Sequence, residues 1–238
     1  MAYLNHAMGE AGAPVRAPIA VRPTGEQIGW DEILASPRTR TVRMSEHEIV
    51  YDEGDVADRL YEISDGAVML YKLLPDGRRQ VVEILGPGDL FGLSAGDAHD
   101  CVAETLVASG FRVIDRREAE TSVAGQRHIA RCLRDQIATL HEHAVLLGRK
   151  SACERVATFI VRMVPGRGLG RCVDRTSAPA TVRLAMTRQE IADYLGLTIE
   201  TVSRVISDLR RRGLVVAERQ DRLRVPDLCA LCRMTGAH

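Results

Sequence analysis

The stretch LGLTIETVSRVI, Leu195 to Ile206, carries the side chains with the clearest chemistry in this chain. Arg204 can donate two hydrogen bonds to guanine O6 and N7, and Glu200 can accept from cytosine N4. In a helix these two stand one turn apart on one face, with Ile199 and Ser203 beside them and Thr201 on the flank. The plainer role for such a pair is an exposed ion pair, worth about 0.3–0.5 kcal/mol. A carboxylate turned toward a phosphate polyanion repels it. If the helix meets nucleic acid, Glu200 therefore serves selectivity rather than affinity.

Other chemistry-bearing residues are weaker. HEH at 141–143 places two imidazoles at i,i+2, about 200° apart around a helix, so one chain cannot chelate with both. They read as surface or dimer-seam histidines. CALC at 229–232 places two thiols at i,i+3 near His238, and reads as two small apolar residues on a terminal helix. His47, His99 and Cys101 are the residues that could ligate a haem, but their spacing gives no support to it. No nucleophile motif, phosphate loop or metal box stands out. We expect no enzyme, no cofactor and no metal.

The elements around Glu200 and Arg204 are specific. TRQE at 187–190 is a capping box, in which Thr187 accepts from the Glu190 amide and the Glu190 carboxylate reaches back to the Thr187 amide. Ile191, Ala192 and Leu195 form the inner face of that first helix, and Ala192 is small enough for a second helix to cross closely. Gly196 takes the sharp turn, Leu197 fills the corner and Thr198 caps the next helix. That helix turns Val202, Val205 and Leu209 inward, and Gly213 ends it. Together these positions predict a helix-turn-helix that places its second helix in a major groove of double-stranded DNA. GLVVAERQDRLRVPD then reads as a hairpin around RQD, the wing.

Upstream, Thr41 to Glu120 shows short apolar runs between turn signals: EGD at 53–55, SDG at 64–66, PDG at 75–77 and GPGD at 86–89. Evenly spaced short strands of this kind predict an antiparallel β-roll. Ile129, Leu133, Ile137, Leu140, Ala144 and Leu147 follow at spacings of 4, 4, 3, 4 and 3, a narrow seam that predicts a long helix pairing with a twin. SACERVATFIVRMV predicts a further helix ending at Pro165, and PGRGLGRCVDRTSAPA a loop. The expected organisation is a flexible tail over 1–28, a β-roll over 29–121, a dimerisation helix over 122–148 and a winged helix-turn-helix over 149–238. The fold class is thus α+β, with an N-terminal cyclic-nucleotide-binding-like jelly roll.

Composition agrees with this division. The net charge is zero, but residues 1–120 carry 12 Lys+Arg against 21 Asp+Glu, and residues 121–238 carry 20 against 11. An acidic half joined to a basic half fits a DNA-binding domain fused to one that does not bind DNA. No run of 18 apolar residues suggests a membrane span, and the N-terminus lacks the basic start and apolar core of a secretory signal. A cytoplasmic address is expected.

MTRQEIADYLGLTIETVSRVISDLRRRGLV resembles the DNA-binding helices of the CRP/FNR superfamily of bacterial transcription regulators, and the likeness extends over about residues 29–225. The spacing Glu200, Ser203, Arg204 resembles an FNR-type reading head, whereas CRP-type heads usually carry Gly at the position of Ser203. The resemblance implies a homodimer on a TTGAT-N4-ATCAA palindrome and contact with RNA polymerase as an activator. Base contacts would come from Ile199, Glu200, Ser203 and Arg204, and backbone contacts from Arg188, Gln189, Thr198 and Thr201. Two departures narrow it. The first cysteine is Cys101, so an N-terminal iron–sulfur cluster is not expected. His99 and Asp100 stand near the place where cyclic-nucleotide binders carry an Arg-Ser pair, and no Arg lies between Arg79 and Arg112, so no cyclic nucleotide is expected. What remains is similar to the FixK-like branch, which implies control of microaerobic or anaerobic respiration or nitrogen-fixation genes. The alternative is a CRP-like regulator sensing a small ligand, haem or redox state through the β-roll or its cysteines.

Overall fold

The computed structural model describes residues 25–164, 179–219 and 221–236. A helix α1 (Gly25–Leu34) precedes eight strands: β1 (Arg40–Met44), β2 (Ile49–Tyr51), β3 (Arg59–Asp65), β4 (Val68–Leu73), β5 (Arg79–Leu85), β6 (Leu90–Phe91), β7 (Val102–Thr105) and β8 (Ser109–Asp115). They form two antiparallel sheets, in the orders β1-β8-β3-β6 and β2-β7-β4-β5, facing each other as a jelly roll. Each sequence turn signal holds a glycine at positive φ: Gly54, Gly66, Gly77 and Gly88. At Gly66 the requirement is double, because a Cβ there would also stand 2.2 Å from the Ser109 hydroxyl.

The roll is closed by its own side chains. Tyr51, Ile63, Val68, Leu85, Phe91, Ala103 and Phe111 fill its interior, and His99 is buried with its ring 3.5 Å from that of Tyr51.

Helix α1 is not foreseen in the sequence reading, which gives residues up to 28 to a tail; the helix starts at Gly25. It docks through Trp30, which stacks on His128 at 3.9 Å and donates its indole N–H to Glu62. Burial raises the Glu62 pKa, opposed by that hydrogen bond and by Arg112.

After the short α2 (Arg116–Thr121), α3 (Val123–Arg149) runs for 27 residues, capped by Ser122. Its seam is exposed along the middle, at Leu133, Ile137, Leu140 and Ala144. The two ends differ from expectation: Ile129 packs against the core beneath α1, and Leu147 against the core shared with the C-terminal helices. His143 is also neither on the surface nor on the seam. It is buried and stacked on Tyr194 at 4.3 Å, because a neighbouring helix covers that flank of α3.

Helix α4 (Ala152–Arg162) begins with a Ser151–Glu154 capping box. The expected loop over 165–180 lies mostly outside the described residues. Its last residue opens a strand, β9 (Ala180–Arg183), that joins the wing. Then come α5 (Arg188–Leu195), α6 (Ile199–Arg211), β10 (Val216–Arg219), β11 (Arg222–Val225) and α7 (Leu228–Arg233). The wing sheet has the order β10-β11-β9. One continuous core reaches from Met69, Val81 and Val102 of the roll through Leu146 and Phe159 to Ile191, Val202 and Leu231. The C-terminal helices are therefore packed on the roll. No helix among the described residues is long and apolar enough to cross a membrane.

Candidate nucleic-acid interface

The local chemistry read from TRQE and LGLT is present atom for atom. Thr187 accepts from the Glu190 amide at 3.2 Å, and the Glu190 carboxylate accepts from the Thr187 amide at 2.7 Å. Gly196 closes α5 at φ +59°, and its amide reaches the Ala192 carbonyl. Thr198 caps α6 by accepting from the Thr201 amide at 3.3 Å. On α6 the buried residues are Val202, Ile206 and Leu209, with Val205 only partly covered. Ile206 thus takes the core place expected of Val205; both lie on the inner face, three and four residues after Val202.

Packing these residues inward leaves Ile199, Glu200, Ser203 and Arg204 exposed together on the outer face of α6. An open groove runs between α6 and β10, lined by Ser203, Arg204, Ser207, Arg210, Val216 and Ala217. Glu200 is not ion-paired to Arg204, so the plainer role of an exposed ion pair is not the one these two side chains take. Its carboxylate has its pKa lowered by its own backbone amide and the Thr198 hydroxyl, with Arg204 the smallest contribution. The acid is drawn to the helix N-terminus, where the dipole and free amides favour negative charge. Among the described residues Arg204 is left without a carboxylate at ion-pair distance.

Arg204 is not alone. Asp208 draws Arg211 and Arg212 at 3.0 and 2.8 Å, whereas Arg188, Arg204 and Arg210 have no carboxylate at ion-pair distance among the described residues. Arg188 is half-buried, and desolvation together with Arg210 lowers its pKa. Cations left unneutralised beside one another favour an external polyanion. Of the other expected backbone contacts, Thr198 and Thr201 are within 3.1 Å of each other at the exposed helix start, and Gln189 donates to Asp193 at 2.7 Å.

The unit is held from behind by Arg155, a residue the sequence reading passes over. Its guanidinium donates to the carbonyls of Leu147 at 2.6 Å, Lys150 at 2.9 Å and Leu195 at 2.9 Å. One side chain thus ties the end of α3 to the turn between α5 and α6. Arg155→Ala is expected to lower unfolding stability by about 2–3 kcal/mol, since several carbonyls lose a charged donor at once. Arg155→Lys should recover only part, because an ammonium lacks the planar fork. Urea unfolding checks this; a change within about 0.5 kcal/mol for the alanine variant would show the tie to be idle.

Comparison with known proteins agrees with this architecture. Residues 154–234 match the Crp-like helix-turn-helix domain, and residues 41–120 match the cyclic nucleotide-binding domain. The chain is 40% identical over 166 residues to the nitrogen fixation regulation protein FixK of Rhizobium meliloti, covering 70% of this chain and 73% of that protein. The chain belongs to the CRP/FNR family. Within the family it is also 35% identical to the transcriptional activator protein FnrL of Cereibacter sphaeroides, over 77% of this chain and 75% of that one. The structure of FixK2 from Bradyrhizobium japonicum superposes with a TM-score of 0.73 at 32% identity, covering 84% of this chain and 98% of that chain. As a CRP/FNR protein of this kind, the chain is a DNA-binding transcription activator.

Among the described residues Cys101, Cys132, Cys153 and Cys229 are free thiols, and burial raises the first two to a pKa of about 12. Cys229 and Cys232 lie on α7 as expected.

Proposed function

We propose that this protein acts as a homodimeric activator that reads TTGAT-N4-ATCAA palindromes without an added effector, recruits RNA polymerase, and controls microaerobic or anaerobic respiration or nitrogen-fixation genes. In this reading Ile199, Glu200, Ser203 and Arg204 face the bases, and Arg188, Gln189, Thr198 and Thr201 face the phosphates. The twin recognition helices enter successive major grooves about 34–36 Å apart. The observation that carries it is the unneutralised Arg204 on the exposed face of α6, with Arg188 and Arg210 behind it. The likeness to FixK and FnrL supports the choice of operator and pathway. Independence from cyclic nucleotide is supported by a roll interior filled with Tyr51, Phe91 and Phe111, and by Asp100 next to the buried His99.

Retardation of the palindrome by purified protein, with nothing added, is the direct test. Failure to bind it unaided would overturn the reading. Arg204→Ala is expected to cost about 1–3 kcal/mol on this operator while barely changing affinity for unrelated duplex. Glu200→Ala should keep or raise non-specific affinity and relax base preference. Equal losses on every sequence would leave both residues outside base reading.

A further inference from the structure

A polar cluster joins the β-roll to the first helix of the helix-turn-helix. His47, in the β1–β2 turn, points its Nδ1 at two carboxylate oxygens from opposite sides of that junction: Glu104 of β7 at 3.2 Å and Glu190 of α5 at 3.5 Å. The three ligand-type atoms lie within 4.8 Å of one another. The first two separations are near the distance of about 3.4 Å between neighbouring ligands of a tetrahedral centre with bonds near 2.1 Å.

The remaining atoms of these groups are arranged as supports. The second oxygen of Glu190 accepts from the Thr187 amide and hydroxyl at 2.7 and 2.9 Å. The second oxygen of Glu104 faces Arg79 at 3.5 Å, and Arg79 is held in turn by Asp193 at 3.0 Å. On the far side of the imidazole, Nε2 stands 3.6 Å from the Glu46 carboxylate. Glu190 and Glu104 therefore each have one oxygen engaged by the protein and the other aimed at the imidazole, the arrangement by which outer groups orient metal ligands. With Nε2 carrying the proton toward Glu46, the Nδ1 lone pair faces two carboxylates, and Arg79 offsets only one of Glu104, Glu190 and Asp193. A cation resolves that repulsion. The His47 side chain is 42% exposed while that of Glu190 is 5% exposed, which gives the site an entrance and a closed floor.

We propose that His47, Glu104 and Glu190 form a divalent-cation site of the zinc class, one imidazole and two carboxylates with a fourth place for water, that fastens the β-roll to the start of α5. This departs from the expectation of no metal, and it rests on none of the operator assignments. Bound there, the ion pins the capping residue of the first recognition-domain helix to the roll and limits how that domain tilts.

The test uses the full chain, stripped with chelator and titrated with zinc by calorimetry and with cobalt by visible absorption. One ion per chain is expected, with a nitrogen–oxygen cobalt spectrum free of thiolate charge transfer, and increased hydrogen-exchange protection over residues 187–193. His47→Asn tolerates the left-handed backbone at that position, φ 59°. It should weaken binding at least about tenfold, as should Glu104→Gln, while Cys229→Ser/Cys232→Ser leaves it unchanged. Absence of binding, binding indifferent to both ligand variants, or loss only in the cysteine variant would each overturn the proposal. So would equal protection produced by lowering pH in the presence of chelator, which would make the bridging cation a proton on His47.

Discussion

Ile137→Glu is expected to yield a folded monomer that has lost operator binding. In the single chain Ile137 is 49% exposed at the middle of α3, so replacing it removes little internal packing and should move stability by no more than about 0.5 kcal/mol. The proposed twofold seam changes that arithmetic. Pairing two α3 helices through Leu133, Ile137, Leu140 and Ala144 would bury the exposed half of each Ile137, at about 1 kcal/mol each. Two glutamates at the same place would instead face each other across the axis and lose their hydration, which costs several kcal/mol per charge. The sum corresponds to a dimer weakened by at least about a thousandfold. Operator affinity falls with it, because each half-site must then be bound separately rather than at the high effective concentration a dimer provides. Sedimentation velocity reports the assembly state, circular dichroism the fold, and fluorescence anisotropy the operator affinity. A dimer that survives Ile137→Glu would place the interface elsewhere.

The seam also shows where sequence periodicity stops being informative. The spacing from Ile129 to Leu147 identifies one apolar line, but it does not say what covers each part. The middle is uncovered in the single chain, while Ile129 lies under α1 and Leu147 against the helix-turn-helix core. Local steric signals were legible because their partners are neighbours in sequence: Thr187 and Glu190, Gly196, Thr198, and the glycines of the roll turns. Long-range contacts left no such mark. Trp30 reads as part of a tail boundary until His128 and Glu62 are seen beside it. Arg155 is one arginine among many until three carbonyls from α3, the following turn and α5 converge on it. Likewise, His47 has no sequence neighbour that announces Glu104 and Glu190. The exposed outer face of α6 was legible for an indirect reason: Val202, Ile206 and Leu209 face the core, and the geometry of α6 leaves Glu200, Ser203 and Arg204 facing out. The free guanidinium of Arg204 was not, because the competition between Thr198 and Arg204 for the Glu200 carboxylate is a matter of side-chain placement.

The second large effect is an acid-driven loss of stability centred on His128 and His143. Both imidazoles are buried, and their pKa values are pushed down to about 4, first by desolvation and then by Arg131 for His128 and Arg162 for His143. Nε2 of His128 and both ring nitrogens of His143 have no hydrogen-bond partner. Above pH 6.5 neither the folded nor the unfolded chain protonates them, and they contribute no pH dependence. Between pH 6.5 and 4 the unfolded chain takes up protons that the folded chain refuses, so stability falls as pH falls, levelling below pH 4. At pH 5 the loss relative to pH 7 is about 2 kcal/mol for each histidine. Urea unfolding at the two pH values should show it, and His128→Phe or His143→Phe should each remove its own share. A profile unchanged in both variants would assign the acid loss to other groups. The two histidines also differ in what they hold. His128 sits under Trp30 and secures α1, whereas His143 lies on α3 against Tyr194 of α5, beside the joint that Arg155 braces. Protonating His143 places a charge between the proposed dimer helix and the recognition domain. In the folded chain this happens only as pH nears 4, so operator affinity of the folded protein should hold through mild acid and decline near pH 4, and His143→Phe should remove that decline while His128→Phe does not.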